Sequence, residues 1–147
     1  MKSWKDDPRA DTNPVFNDNP LKLGLFALNG IGISMTTAPE ALHTRWDESV
    51  IVSKLADQAG FEANVPYARW RGFVEDEPAH RSGNVMDCYT WAAATSQLTS
   101  RSGVFATSHV PTIHPIAAAK QCATIDQISG GRFGLNVVAG WNKPELD

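Results

Sequence analysis

Short apolar runs alternate with amphipathic segments along the chain from residue 21 onward. Four apolar runs have the length and composition of buried strands: residues 21–27, 61–65, 103–107 and 133–139. Helical patterns fill the intervals between them: residues 46–59, residues 87–98, and a segment from Pro115 to the Ser129–Gly130–Gly131 stop. The predicted order is therefore β-α-β-α-β-α-β, with strands separated by roughly the length of a βαβ unit.

The helical segments carry specific start, stop and face signals. Gly60 and Gly130 can adopt the left-handed conformation that ends a helix, and Pro115 stands in a first turn, where proline is best tolerated. The first helix has an apolar face made of Ile51, Val52, Leu55 and Ala59. The third helix has a predicted buried stripe made of Ala118, Cys122 and Ile125.

This alternation predicts an α/β fold in which helices cover a parallel sheet. Two architectures satisfy it, an open doubly wound sheet and part of a (β/α)8 TIM barrel. The chain stops at residues 142–147 without a closing helix, whereas a complete barrel needs about 250 residues. We therefore expect the first half of a (β/α)8 barrel, about four βα units, in a truncated chain. Unpaired sheet edges would make such a fragment marginally stable or prone to aggregate.

Composition narrows the function classes. The 147 residues carry a net charge of −3 without a basic cluster, which argues against nucleic-acid binding. No apolar stretch is long enough to span a membrane. Residues 1–20 are polar, lack the apolar core of a secretory signal and predict a flexible N-terminal lead-in. Cys88 and Cys122 form no CxxC pair, so we expect free thiols, a reducing cytoplasm and, for Cys122, a small core residue.

Three segments together resemble one enzyme family. They are residues 68–73 (ARWRGF), 123–138 (ATIDQISGGRFGLNVV) and 140–145 (GWNKPE). This pattern is similar to that of the luciferase-like flavin-dependent monooxygenases, nearest to the branch of the pyrimidine and dimethyl-sulfone monooxygenases. The likeness covers residues 21–147, which are predicted to be the N-terminal part of such a barrel.

The resemblance implies a fold, a cofactor and partners. It implies a barrel that binds reduced FMN at the carboxyl ends of the strands and inserts one oxygen atom from O2 into a small organic substrate. A separate flavin reductase supplies the reduced flavin, and the full-length protein is expected to be a homo-oligomer. The family's flavin contacts fall here on Ala68, Arg69, Asn136 and Glu145. The remaining contacts, including those to the FMN phosphate, would lie beyond Asp147.

Two of these residues have a physical argument of their own. Asn136 interrupts an apolar strand, and a buried amide there needs partners. It could bond the polar edge of an isoalloxazine ring, a neighbouring strand or a buried water. Arg69 directly follows a predicted strand, where it could place a fixed positive charge near an anionic reduced flavin or form a surface salt bridge. Glu145, in a predicted Lys-Pro-Glu turn, depends on the resemblance alone.

His109 follows the third predicted strand and is the candidate catalytic residue, because a histidine can relay protons near neutral pH. A loop histidine bonded to backbone is the alternative. The spacing of His109 and His114 is poor for metal ligands, so no metal site is predicted.

Several loop features also suggest function. The long polar loop of residues 67–86 is a functional candidate. Residues 29–37 lack the P-loop and dinucleotide signatures, which favours a substrate-side or lid loop. Trp141 could cover the flavin or pack in the core.

Two other functions fit the sequence. One is a relative that transfers hydride with a reduced deazaflavin. The other is a truncated, non-catalytic flavin-binding module that pairs with a longer subunit. The glycine-rich segment of residues 130–136 favours the monooxygenase over the deazaflavin enzyme, and only length supports the module. The sequence leaves the substrate open, since specificity lies in loops.

Overall fold

The computed structural model describes residues 6, 8–32, 36, 38–74, 76–77 and 79–146. Strands and helices alternate along this part of the chain: β1 Gly24–Phe26, α1 Trp46–Ala59, β2 Ala63–Val65, α2 Cys88–Ser96, β3 Gly103–His109, α3 Pro115–Ser129, β4 Phe133–Val138 and α4 Lys143–Leu146. Short 3-10 helices occur in the connections: Pro8–Asp11, Pro14–Phe16, Arg81–Gly83 and Val110–Thr112. The predicted alternation of strands and helices is confirmed.

The four strands form one parallel sheet in the order β1-β2-β3-β4. Strand order therefore follows chain order, without the reversal that defines a doubly wound sheet. Right-handed crossovers between successive strands then bring α1, α2 and α3 to the same face. Of the two architectures that the sequence allowed, this topology is that of consecutive βα units of a barrel.

The alternating side chains of β3 separate the core from the opposite face of the sheet. Val104 and Ala106 are fully buried and pack against α2 and α3. Phe105, Thr107 and His109 point to the other face, because successive strand residues alternate. Thr107 pairs in register with Asn136 of β4, so both residues lie on the face away from the helices.

The predicted apolar face of α1 is wrong at Ile51, Leu55 and Ala59, which are exposed, whereas Val52 packs against the core as predicted. The buried residues of this helix are Ser49, Ser53 and Ala56, whereas Ile51 and Leu55 are each 58% exposed. Small side chains allow the helix to pack closely on its neighbours, and the Trp91 indole N–H donates to the Ser49 hydroxyl at 2.7 Å. A hydrogen bond between elements thus fixes a face that hydrophobic periodicity alone does not identify.

Other helix signals are confirmed. Gly60 and Gly130 end α1 and α3 in the left-handed conformation, with φ of 89° and 66°. Ile125 is buried, and Ala118 and Cys122 pack against the core as partly buried residues. Cys88 and Cys122 are free thiols, and burial raises the pKa of both, that of Cys88 to about 12.

Several element boundaries differ from the prediction, and three of the differences bear on the site or the sheet edge. β1 contains three residues rather than residues 21–27. His109 is the last residue of β3 rather than a loop residue, because β3 pairs with β4 as far as Val138. Residues 143–146 form a helical turn after β4, in which the Glu145 N–H donates to the Asn142 carbonyl. Short elements of this kind depend on tertiary hydrogen bonds.

The second half of the predicted flexible lead-in is attached to the sheet. Asn13 is buried and accepts a hydrogen bond from the Val15 N–H at the start of a 3-10 helix. The side chains of Asn17 and Asn19 both donate to the Glu62 carboxylate just before β2. These contacts hold the described part of the lead-in at the amino-terminal ends of the strands.

Arg132, in the glycine-rich motif before β4, has a structural role at the same end of the sheet. Its buried guanidinium donates five hydrogen bonds, mostly to backbone carbonyls: Ser129, Ser96, Thr99 and Ser102, with a fifth to the Thr99 hydroxyl. Burial lowers its pKa. Arg132 therefore ties the loop before β3 to the start of β4.

Asn29 ties together the loops at the carboxyl ends of β1 and β2. Its fully buried amide donates to the carbonyls of Tyr67 and Met86 at 2.8 and 2.9 Å and accepts from the Tyr67 N–H at 3.0 Å. Residues 33–35 and 37 of the predicted lid loop lie outside the described residues. Residues 29–31, at the start of the predicted lid loop, are buried. This part of the loop is therefore anchored to the protein through Asn29. No helix among the described residues is long and apolar enough to cross a membrane.

Replacing Asn29 with alanine is expected to lower the free energy of unfolding by about 2–4 kcal/mol, because three buried hydrogen-bonding groups lose their partner. Urea denaturation of this variant and of an Asn84→Ala control, altered at an exposed asparagine, measures the difference. Equal stabilities of the two variants would show that the Asn29 amide does not hold the loops.

The Asp57 carboxylate is expected to make the free energy of unfolding depend on pH in the acid range. Partial burial raises its pKa, but N–H groups of Ser100, Ser102 and Arg101 outweigh this and lower the pKa to about 2. Because the unfolded value is near 4, roughly, the stabilisation is complete above that pH and is lost as pH falls towards 2. Asp57→Asn should destabilise the fold at pH 7, and its difference from the native chain should shrink between pH 4 and 2, roughly. An unchanging difference over that range would contradict this assignment; Asp18→Asn, at an exposed position, is the control.

Candidate functional site

The polar residues at the carboxyl ends of β2, β3 and β4 converge on the Glu145 carboxylate. Glu145 lies in α4, and its side chain is 1% exposed. One carboxylate oxygen, Oε1, accepts the backbone N–H groups of Trp70 and Arg71 at 2.9 and 3.2 Å. The other, Oε2, lies 3.2 Å from His109 Nδ1. A residue after β4 therefore connects the loop after β2 with the end of β3.

Arg69 provides a buried positive charge beside this carboxylate. Its Nε lies 3.7 Å from Glu145 Oε1, and its side chain is 8% exposed. Three aromatic rings surround its guanidinium, with centroids 5.0, 5.4 and 5.8 Å away: Trp141, Phe73 and Tyr67. Neither Nε nor Nη1 has a hydrogen-bond partner among the described residues. The charge is fixed in place while part of its hydrogen-bonding capacity is unused.

Glu145 is held in its ionised form. Burial raises its pKa, but hydrogen bonds from the Asn142 amide and from the N–H groups of Trp70 and Arg71 outweigh burial, and His109 contributes further, so that the net pKa is lowered. Asn142 is itself buried and donates to the Arg71 carbonyl at 2.7 Å. The loop after β2 is therefore held twice, because its N–H groups donate to Glu145 and its Arg71 carbonyl accepts from Asn142.

His109 faces Glu145 through one specific nitrogen. A carboxylate is only an acceptor, so the 3.2 Å contact places a proton on Nδ1. In the neutral ring, Nε2 is then the acceptor nitrogen. The side chain is 8% exposed. This geometry replaces the alternative of a loop histidine bonded to backbone.

Asn136 occupies the face of the sheet away from the helices. Its amide donates to the Thr107 hydroxyl at 3.2 Å, and that hydroxyl in turn donates to the Pro66 carbonyl. The Asn136 side-chain amide thus has one protein partner, Thr107 on the neighbouring strand. A partner on a neighbouring strand was one of the alternatives that the sequence left open. Asn136 is partly exposed and does not contact the Glu145 cluster directly.

Ala68 and Arg69 lie on the wall of a cavity of about 360 Å³ at the carboxyl ends of β2 and β3. The cavity is also lined by Trp70, Met86, Tyr89, Thr107 and Gln121. Its size is at the small end of the range for ligand pockets. Ala68 also packs against the core, so it fixes the position of the loop that carries Arg69.

Large aromatic side chains are exposed where three strands end. Phe26 ends β1, Trp70 follows β2 and Trp141 follows β4; they are 62%, 65% and 69% exposed. The Trp70 indole N–H donates to the Thr112 hydroxyl at 3.1 Å, which fixes one of them. Exposed rings beside a buried cation form a surface suited to a flat, electron-rich ligand.

The structure brings together three of the five residues predicted for the site. Arg69, His109 and Glu145 form one cluster, whereas Ala68 lines the cavity beside Arg69 and Asn136 bonds to Thr107 on the neighbouring strand. Sequence reasoning missed Thr107 and Asn142. Their signals were a hydroxyl at the end of an apolar strand and an asparagine before Lys-Pro, a position typical of a helix N-cap.

Comparisons with known proteins identify the family and the fold. The family model described as luciferase-like monooxygenase matches residues 21–147. A curated relative, pyrimidine monooxygenase RutA from Enterobacter sp. (strain 638), is 37% identical over 130 residues, which cover 86% of this chain and 35% of the relative. The chain therefore spans about a third of the length of that relative.

Solved structures share the fold. The chain superposes on DmoA from Hyphomicrobium sulfonivorans with a TM-score of 0.68 at 16% identity, covering 84% of this chain and 29% of DmoA. It also superposes on the oxygenating constituent of 3,6-diketocamphane monooxygenase from Pseudomonas putida, solved with FMN, with a TM-score of 0.63 at 19% identity, covering 85% and 31%. These neighbours are (β/α)8 barrels, and the four strands correspond to part of one. By its family match and its fold, the chain belongs to the luciferase-like monooxygenase family.

Proposed function

We propose that this chain forms one wall of the FMN site of a flavin-dependent monooxygenase that inserts one oxygen atom from O2 into a small organic substrate. The observation that carries the proposal is the buried Arg69 guanidinium, which lies at the carboxyl end of β2 with unused hydrogen-bonding groups. In parallel barrels, the active site gathers at this end of the strands. Family membership supports the same activity.

The residues at this end fit a reduced flavin in charge and shape. Arg69 would hold the negative charge of the reduced isoalloxazine, and the Asn136 amide would bond the polar edge of the ring. Ala68 would allow close approach of the loop backbone, and exposed rings such as Trp141 would cover the ligand. When bound, reduced FMN supplies the electrons and the site at which O2 is activated.

His109 has the geometry of a proton relay in this proposal. With Nδ1 facing Glu145, its Nε2 would accept or return a proton at the end of β3. Aromatic and apolar side chains on the exposed face would exclude water from the reacting groups. In this proposal, the protein orients the flavin, neutralises its negative charge and shields the reacting groups from water. The cofactor supplies the oxidation chemistry.

The proposal extends to partners and location. We expect a separate flavin reductase to deliver the reduced cofactor and the working protein to be a cytoplasmic homo-oligomer. The similarity to pyrimidine monooxygenase RutA suggests pyrimidine-like ring amides as one substrate class to test. The resemblance to the dimethyl-sulfone monooxygenases suggests sulfones as another. The fixed charge of Arg69 suits any substrate that places a carbonyl or sulfonyl oxygen beside the flavin.

Replacing Asn136 with alanine should weaken the binding of reduced FMN by about tenfold, the effect of one lost hydrogen bond of about 1.4 kcal/mol. Folding should change little, because the amide is partly exposed and has one protein partner. Anaerobic titration followed by NMR, which also detects weak binding, measures the affinity, with Asn84→Ala as the control. Equal affinities of the native chain and Asn136→Ala would remove this residue from the site.

Replacing Arg69 with glutamine should reduce the preference for reduced over oxidised FMN by about tenfold or more, since a buried positive charge stabilises the anionic form. The ratio of the two affinities, measured by the same titration in each redox state, reports this effect. Arg101→Gln, at the opposite end of the sheet, is the matched control. An unchanged ratio would show that Arg69 does not face the flavin.

A further inference from the structure

We infer that Glu145 is a positioning residue, which acts on the flavin site through Arg69, His109 and the loop after β2. This inference rests on the proposed function for its relevance to catalysis, whereas the contacts that carry it lie within the chain.

Both oxygens of the Glu145 carboxylate already have protein partners. Oε1 accepts two successive backbone N–H groups, those of Trp70 and Arg71, and Oε2 faces His109 Nδ1. With 1% of its side chain exposed, the carboxylate has no open surface for a ligand. These contacts tie the loop after β2 and the end of β3 to one buried carboxylate.

The two successive N–H groups define the conformation of the loop that carries Arg69. Adjacent amides that point at one anion form a concave binding site, and here the anion belongs to the chain itself. Asn142 donates to the Arg71 carbonyl and closes the same loop from the other side. The direction of Arg69 is thereby set by a residue 76 positions further along the chain.

The same carboxylate sets the protonation pattern of His109. A carboxylate accepts from Nδ1–H, so the acceptor nitrogen Nε2 is left for proton exchange. A glutamine at position 145 could still accept the Trp70 and Arg71 N–H groups through its carbonyl. Its NH2 group would then face His109 Nδ1 as a donor, and the proton would move to Nε2. Glu145→Gln thus separates the tautomer effect from the loop effect.

Two measurements on the flavin-free chain test the assignment. The first is ¹⁵N NMR of the His109 imidazole in the native chain, in Glu145→Gln and in a Glu40→Gln control at an exposed position. The second is hydrogen exchange of the Trp70 and Arg71 amides in the native chain and in Glu145→Ala. Neither measurement uses flavin, so failure of the proposed function would leave them interpretable.

We expect Glu145→Gln to interchange the protonated and unprotonated nitrogen signals of His109, with the Glu40→Gln spectrum unchanged. Glu145→Ala should speed exchange of the Trp70 and Arg71 amides at least tenfold relative to amides of β3. If Glu145→Ala does not fold, the histidine spectrum of Glu145→Gln decides alone. Native His109 signals in Glu145→Gln would overturn the inference.

Discussion

The burial of one carboxylate, that of Glu145, organises the functional end of this molecule. A charge with 1% of its side chain exposed needs compensation from its surroundings, and it obtains this from two backbone N–H groups, a histidine and a nearby arginine. These partners come from the loop after β2 and from the end of β3, whereas Glu145 comes from α4. The requirement to satisfy this charge therefore gives three separate segments a single arrangement, which in turn presents Arg69 and His109 to the same side of the sheet.

The opposite end of the sheet is held by a different set of buried charges. Arg132 satisfies backbone carbonyls around the start of β3, and Asp57 accepts N–H groups from the same loop. Glu62 performs a comparable role for the lead-in. This separation fits the organisation of barrels, in which one end of the strands contributes stability and the other contributes chemistry. It also explains why part of the glycine-rich family motif is structural, whereas Asn136 is available to a ligand.

Much of the fold followed from local signals, but the site did not. Glycine caps, the proline of α3 and apolar runs identify the order of elements because each acts within a few residues. The buried face of α1 was missed, since it depends on a hydrogen bond between Ser49 and Trp91. The Glu145 cluster joins residues up to 76 positions apart, so its geometry depends on tertiary packing. Family resemblance predicted a set of site residues, whereas the contacts of Glu145 became apparent only from the structure.

The claim that the carboxyl ends of the strands form one wall of a flavin site is tested most directly by NMR. The measurement maps the amide chemical shifts of the chain as reduced FMN is added in the absence of oxygen. If one flavin wall is formed by the carboxyl ends of the strands, the amides of Ala68, Arg69 and Asn136 should shift together with a common saturation curve. The amides of Leu23 and Arg132, at the other end of the sheet, should remain unchanged. Shifts confined to that other end, or no shifts at saturating FMN, would contradict the claim that these strand ends form a flavin site.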